Sequence, residues 1–172
     1  VTDLRGIVKI AKANQLLTII DNTFLTPVFQ NPIAFGFDIV IHSATKFIGG
    51  HSDVLAGLVV AKDQTIASKI GFLQKCFGAV LGVQDSWLLL RGLKTLQTRM
   101  KVSSAHAQQL AEWFLQHPKV EKVYYTGLPS HPGHLLQESQ ASGHGAVLSL
   151  DLGSQEKAVA LMKRLKLPLI AL

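Results

Sequence analysis

Apolar and polar positions along this chain follow a few distinct rhythms, and each predicts a kind of element. Leu4, Ile7, Val8, Ile10 and Ala11 recur at helical spacing with Arg5, Lys9 and Lys12 between them. That pattern predicts an amphipathic helix capped by Thr2 or Asp3 and ended at Asn14-Gln15. Leu16 to Ile20 is a short apolar run rich in β-branched residues, and Asp38 to His42 is a second; each predicts a buried strand. Asn31-Pro32 and Gly36 break the stretch between them. Ser43 to Asp53 is a polar, Gly-containing loop, Leu55 to Val60 a third strand, and Lys62 to Gln74 a helix. Asp85 to Gln116 reads as a long helical stretch kinked near Gly92 and stopped by His117-Pro118, since a residue before proline avoids the helical region. Beyond it come a strand at Val120–Tyr125, a loop at Thr126–Gly133, and a period-2 strand with one wetter face at Ala146–Leu152. Ser154–Leu165 is an amphipathic helix, and Leu167–Leu172 begins another strand. Trp87, Trp113 and Phe114 fall within helical stretches and are expected in the core. The order of elements predicts an α/β chain with a largely parallel sheet. In such sheets ligands sit beyond the carboxyl ends of strands. Asp21-Asn22-Thr23 and the Ser43–Lys46 segment both fall there.

Composition narrows the possibilities. Of 172 residues, 48% are hydrophobic and 16% charged, enough for a packed core and unlike a disordered chain. The net charge of +6 comes from scattered basic residues with no run of like charge, which argues against nucleic acid and fits an anionic small molecule such as a phosphate ester. The single cysteine, Cys76, excludes an intramolecular disulfide and fits a reducing compartment such as the cytoplasm. No apolar stretch approaches the ~20 residues that span a bilayer, so no membrane partner is expected. The chain has no initiating Met, opens inside an amphipathic pattern and stops inside an apolar one. Both ends read as cut from something longer.

The candidate chemistry lies in Ser43-Ala44-Thr45-Lys46-Phe47-Ile48-Gly49-Gly50-His51. A lysine on a tight loop after a buried strand is expected to lose solvation, which favours the neutral amine that a Schiff base requires. Ser43 and Thr45 offer hydroxyls and backbone N–H groups to a phosphate. Asp21, at the end of the adjacent strand, offers a carboxylate to a pyridinium nitrogen. These are the three protein groups that pyridoxal 5′-phosphate needs. Taken singly, each residue reads as a solvated charge or a turn; the combination carries the argument. His131 and His134, three apart, offer two metal ligands with no third in evidence. They read as surface histidines, and no metal is expected. No phosphate-loop or dinucleotide fingerprint occurs.

Asp38 to Ser52 resembles the attachment-site signature of the Cys/Met-metabolism pyridoxal-phosphate enzymes, the cystathionine β- and γ-lyases, cystathionine γ-synthases and methionine γ-lyases. Asp21-Asn22-Thr23-Phe24 with Thr26-Pro27 is similar to the family's upstream motif. Arg91 to Leu96 with Arg99-Met100 is similar to its downstream helix, and His117-Pro118, Tyr125, Gly127-Leu128-Pro129 and His131-Pro132 continue the likeness.

The resemblance implies a fold-type I pyridoxal-phosphate transferase architecture, aminotransferase-like, with a mainly parallel sheet and a smaller α+β carboxy-terminal domain, both incomplete. Residues 1–100 would be the later part of the cofactor-binding large domain and residues 101–172 most of the small domain. It implies that Lys46 holds the cofactor as a Schiff base and shuttles a proton, that Asp21 partners the pyridine nitrogen, that Ser43 and Thr45 contact the phosphate, and that Thr23 lies near the ring. Arg91 to Leu96 would link the domains, and His51 and Asp53 would fix the loop. The implied activity is elimination on cystathionine, that of a cystathionine β-lyase, with γ-lyase and γ-synthase as alternatives. The implied partners are a sulfur amino acid substrate and further copies of the chain, a homotetramer in the family. The family's upstream phosphate-binding turn, ring-stacking tyrosine and oligomer-forming arm are absent from these residues, as is its downstream carboxylate-binding arginine. Two other classes remain open at this stage: a non-catalytic fragment with a residual cofactor site, and an unrelated α/β binding module for an acidic ligand.

Overall fold

The computed structural model describes residues 1–168. Helix α1 (Leu4–Ala13) is the expected amphipathic helix, with Leu4, Val8 and Ala11 buried. Asp3 is its cap, its carboxylate accepting the Gly6 N–H, an interaction that typically contributes about 1 kcal/mol. The helix ends where Gln15 takes φ +54° and the Leu16 N–H reaches back 2.9 Å to the Ala11 carbonyl, a left-handed C-terminal closure. Leu16 and Leu17 are therefore exposed and outside the strand. Strand β1 is shorter than its apolar run, Ile19–Asp21. Two single-turn helices follow, α2 (Thr26–Phe29) and α3 (Pro32–Phe35), each with proline in its first turn, where its missing N–H costs nothing.

Strand β2 (Ile39–Ser43) pairs parallel with β1, in the register Ile19 to Ile39 and Asp21 to Ile41. Asp38 sets that register. Its carboxylate accepts the Thr18 N–H at 2.9 Å and the Thr18 hydroxyl at 2.8 Å, which lowers its pKa from the ordinary value.

Strand β3 (Gly57–Ala61) runs antiparallel to β2, so the three-stranded sheet is mixed rather than parallel throughout. The reason is the connection. Two parallel strands need a crossover, which α2 and α3 supply between β1 and β2. Between β2 and β3 there is only the looped segment 44–56, which returns the chain on itself.

Helix α4 (Gln64–Phe77) follows, then α5 (Val83–Leu93) and α6 (Leu96–Leu115). The expected long helix is thus two helices. The break falls at Lys94-Thr95 and not at Gly92, which is helical and buried for a reason given below. Strand β4 (Lys122–Tyr124) pairs antiparallel with β5 (Ser149–Asp151). Between them lies α7 (His134–Gln140), which the apolar pattern does not announce, and α8 (Gln155–Arg164) closes the described chain. The strand expected from Leu167 falls almost wholly outside the described residues.

Two core clusters share α6. Leu96 and Met100 pack with Ala44, Ile48, Val54 and Leu89. Ala107 and Ala111 pack with Val123, Tyr125 and Leu128. Trp87 and Trp113 are more than half exposed, contrary to the expectation of a core role. Trp87 meets the Arg91 guanidinium and Trp113 the rings of Phe114 and His117, and the rest of each indole faces outward.

Candidate active site

Because β1 and β2 are parallel and adjacent, their carboxyl ends deliver Asp21 and Ser43 to the same edge of the sheet. The chain turns sharply after each. The Thr23 N–H donates to the Asp21 carboxylate at 2.8 Å, and the Lys46 N–H donates to the Ser43 carbonyl at 3.1 Å. The two turns are joined by the Ser43 N–H, which donates to the Thr23 hydroxyl oxygen at 2.7 Å. Asp21, Thr23, Ser43 and Lys46, with Asn22, Phe24, Leu25 and Gln30, line one cavity of about 460 Å³.

Buried Asn22 donates its side-chain amide to the carbonyls of Thr26 (3.2 Å) and Gln30 (2.9 Å). It thereby holds Thr26, a β-branched residue at φ +55°, in a conformation that costs on the order of 1–3 kcal/mol.

Thr45 is placed differently from the other four. Its hydroxyl accepts the Ala56 N–H at 3.0 Å and donates to the Ala56 carbonyl at 3.3 Å, closing the loop that joins β2 to β3. It lines a second, larger cavity of about 1260 Å³ with Lys46, Phe24, Asp53, Asp85 and Arg99. Lys46 and Phe24 border both cavities. Lys46 is exposed, where a desolvated lysine was expected. The loop delivers it into open space, and no described residue closes over it.

Three residues matter here that fall within the motifs but were given no role at the site. His42, on β2, is buried, and its Nδ1 has no partner among the described residues. Burial pushes its pKa below the ordinary value, against the opposing pull of the Asp21 carboxylate and a hydrogen bond with the Asn22 backbone. Arg99, on α6, donates to the carbonyls of Phe47 (2.7 Å), Ile48 (3.3 Å) and Gly92 (2.9 Å), and so fastens the residues just after Lys46. Gly92, on α5, lies against the same loop; a Cβ there would collide with the carbonyls of Gly49 and Ile48. His51 adds a local tie, its Nδ1 2.8 Å from the Gly49 carbonyl. Geometry of this kind leaves only a weak trace in sequence, a glycine on one helix and an arginine on the next.

A cofactor with a phosphate, an aldehyde and a pyridine ring fits this set. The Asp21 carboxylate keeps one oxygen free of Thr23, the Ser43 hydroxyl borders the cavity, and an amine stands at the shared mouth. Comparison with known proteins agrees. Residues 1–172 match the family of Cys/Met metabolism PLP-dependent enzymes, and the chain belongs to that family, whose cofactor is pyridoxal phosphate. Within it, the chain is 53% identical to the cystathionine beta-lyase MetC of Bacillus subtilis (strain 168), over 99% of its own length and 44% of the relative's. It is 48% identical to the cystathionine gamma-lyase of the same organism, over 99% and 45% of the two lengths. The crystal structure of cystathionine gamma synthase from Xanthomonas oryzae pv. oryzae in complex with aminoacrylate and cysteine superposes with a TM-score of 0.96 at 42% identity, covering 99% of this chain and 44% of that one. The chain spans under half the length of these relatives. The fold is accordingly that of the fold-type I pyridoxal-phosphate enzymes.

Proposed function

We propose that this chain is the cofactor-lysine segment of a carbon–sulfur lyase that eliminates at the β-carbon of cystathionine. The observation that carries the reading is the single cavity at the ends of β1 and β2, where Asp21, Thr23, Ser43 and Lys46 meet. The identity to a cystathionine beta-lyase supports the substrate.

Bound pyridoxal phosphate supplies an electron-withdrawing ring that stabilises negative charge at the substrate's α-carbon. The chain's own residues do the rest. Lys46 would hold the aldehyde carbon through Nζ, and the same amine would accept the substrate's α-proton. Asp21 would favour a proton on the pyridine nitrogen by its charge. Ser43 orients the phosphate, and Thr45, its hydroxyl and backbone N–H bonded to Ala56, holds the loop behind it. Thr23 braces Ser43. Arg99 and Gly92 fix the loop so that the amine returns to one position. The division of the core along α6 supports a domain boundary near residue 100, with residues 1–100 in the large domain and 101–172 in the small one. A homo-oligomer and a cytoplasmic location complete the proposal; no helix among the described residues is long and apolar enough to cross a membrane.

The second reading is γ-elimination, favoured by the 48% identity to a gamma-lyase. The products separate the two. β-Elimination with hydrolysis releases homocysteine, pyruvate and ammonia; γ-elimination releases cysteine, 2-oxobutyrate and ammonia. Incubating the gene's full product with pyridoxal phosphate and cystathionine is expected to yield pyruvate. Predominant 2-oxobutyrate would transfer the proposal to the γ-lyase reading, and neither oxo acid would leave the non-catalytic reading standing.

A further inference from the structure

A second cluster of chemically able side chains lies outside the Lys46 cavity. His134 opens α7, and Glu138 stands one turn later on the same helical face. His144 comes from the loop that follows the helix. One potential donor atom from each residue lies within 4.8 Å of the others. His134 Nε2 is 3.5 Å from a Glu138 carboxylate oxygen, and the rings of His134 and His144 stack at 5.3 Å, 8° from parallel.

The surroundings hold this arrangement in place. The His134 Nδ1 lies 2.7 Å from the Thr126 carbonyl. A carbonyl only accepts, so Nδ1 carries a proton, which leaves Nε2 as the ring's ligand atom, the usual outer-shell device of metal-bound histidine. The loop bearing His144 is tied down three times: Gln137 Nε2 donates to the Gly143 carbonyl (3.0 Å), the Thr126 hydroxyl to the His144 carbonyl (3.4 Å) and the Tyr125 hydroxyl to the Gly145 carbonyl (2.9 Å). The buried His144 Nδ1 has no hydrogen-bond partner among the described residues. An ion pair between His134 and Glu138 accounts for those two residues and leaves His144 unexplained. His131, three residues before His134, lies outside the cluster. His131 Nδ1 is used locally, accepting the Gly133 N–H at 3.0 Å.

We propose that His134, Glu138 and His144 form a three-ligand site for a divalent transition metal, Zn²⁺ foremost, that clips α7 to the loop after it. Two imidazole nitrogens and one carboxylate oxygen are a donor set that Zn²⁺ accepts, with a fourth position open to water on the exposed Glu138 side. Binding draws the donor atoms together to roughly 3.3 Å, the edge of a tetrahedron with bonds of about 2.0–2.1 Å. The proposal does not depend on the reaction assigned above.

The test uses the gene's full product, stripped with chelator and titrated with Co²⁺ as a spectroscopic stand-in for Zn²⁺. One equivalent is expected to raise the visible bands of a four-coordinate ion, and Zn²⁺ is expected to abolish them. His144→Ala and Glu138→Gln should each weaken binding at least tenfold, while His131→Ala leaves it unchanged. Should His144→Ala fail to fold, Glu138→Gln, at an exposed position, still decides. No bands at stoichiometric Co²⁺, or equal binding by wild type and Glu138→Gln, overturns the proposal.

Discussion

Asp21 shows how little a residue declares by itself. In sequence it is one acid after an apolar run, equally suited to capping a turn, and in the structure it does help form one through the Thr23 N–H. The second role proposed for it, as partner of the pyridine nitrogen, rests on parallel pairing, which sets it opposite Ile41 and brings it to one cavity with Ser43. In the full-length protein, Asp21→Ala is expected to lower kcat by about 10²-fold or more, the scale on which fixed charges stabilise developing ones, with a smaller loss of cofactor affinity, because the Lys46 and Ser43 contacts remain. Steady-state kinetics alongside cofactor titration would check this, and full activity would remove Asp21 from the mechanism.

His42 and Asp38 make a prediction about acid. Burial lowers the His42 pKa, so below about pH 6.5, the ordinary imidazole value, the unfolded chain binds a proton that the folded chain resists. The stability this histidine contributes is present above pH 6.5 and is lost as pH falls towards its folded pKa. Asp38, lowered by its bonds to Thr18, adds a second loss that begins only near its ordinary value of 3.8. Denaturation curves across this range should show two successive falls, the first reporting with the His42 ring in NMR. A flat profile between pH 7 and 5 would contradict the first.

At the scale of elements, α5 and α6 act as a clamp on the loop that follows Lys46. Gly92 lets α5 approach the Gly49 carbonyl, and Arg99 from α6 occupies three carbonyls around it. Gly92→Ala forces a methyl group onto backbone and should destabilise the fold by about 1–3 kcal/mol. Arg99→Met leaves buried carbonyls unpaired at a cost of about 1–3 kcal/mol, and Arg99→Lys recovers only part, since an ammonium lacks the planar fork. Urea denaturation with cofactor content measured in parallel would check both; unchanged stability in Gly92→Ala would show that the approach is looser than described.

The same elements show what the sequence could and could not convey. The amphipathic α1, the apolar β2 and the Ser43–His51 motif were legible because burial and chemistry impose their own residue patterns. The antiparallel sense of β3 was not, because side-chain alternation is the same in either direction. Gly92 reads in sequence as a helix weakness, yet its role is close packing against a loop 43 residues earlier in the chain, at position 49. Helix α7 escaped notice because its two buried residues are Gln137 and Gln140, polar side chains held by tertiary hydrogen bonds rather than by an apolar stripe. Leu16 and Leu17 misled in the other sense, apolar residues spent on closing α1 rather than on β1. Of the five candidate site residues, four meet in one cavity and Thr45 stands on the neighbouring one, a split that spacing alone does not reveal.

At the scale of the whole chain, the feature that stands out is uncovered apolar surface. Val83 is 90% exposed, Leu55 82% and Phe77 80%, and α4 buries none of its residues. The relatives are more than twice as long, and patches of this kind in soluble proteins mark surfaces that pack against something. The 172-residue chain expressed alone is expected to bind hydrophobic dyes, to self-associate on gel filtration, and to release no measurable thiol from cystathionine. Turnover on the order of 1–10³ per second by that chain would show that the site needs nothing beyond it.

The claim on which the rest depends is that Lys46 holds the cofactor. Pyridoxal phosphate bound to the gene's full product and reduced with borohydride leaves a stable pyridoxyl group on whichever lysine formed the Schiff base. Peptide mass spectrometry is expected to find that group on Lys46 at near one equivalent, and to find it lost in Lys46→Ala. Label spread over surface lysines such as Lys62, Lys75 and Lys119, with none preferred, would contradict the assignment of the site.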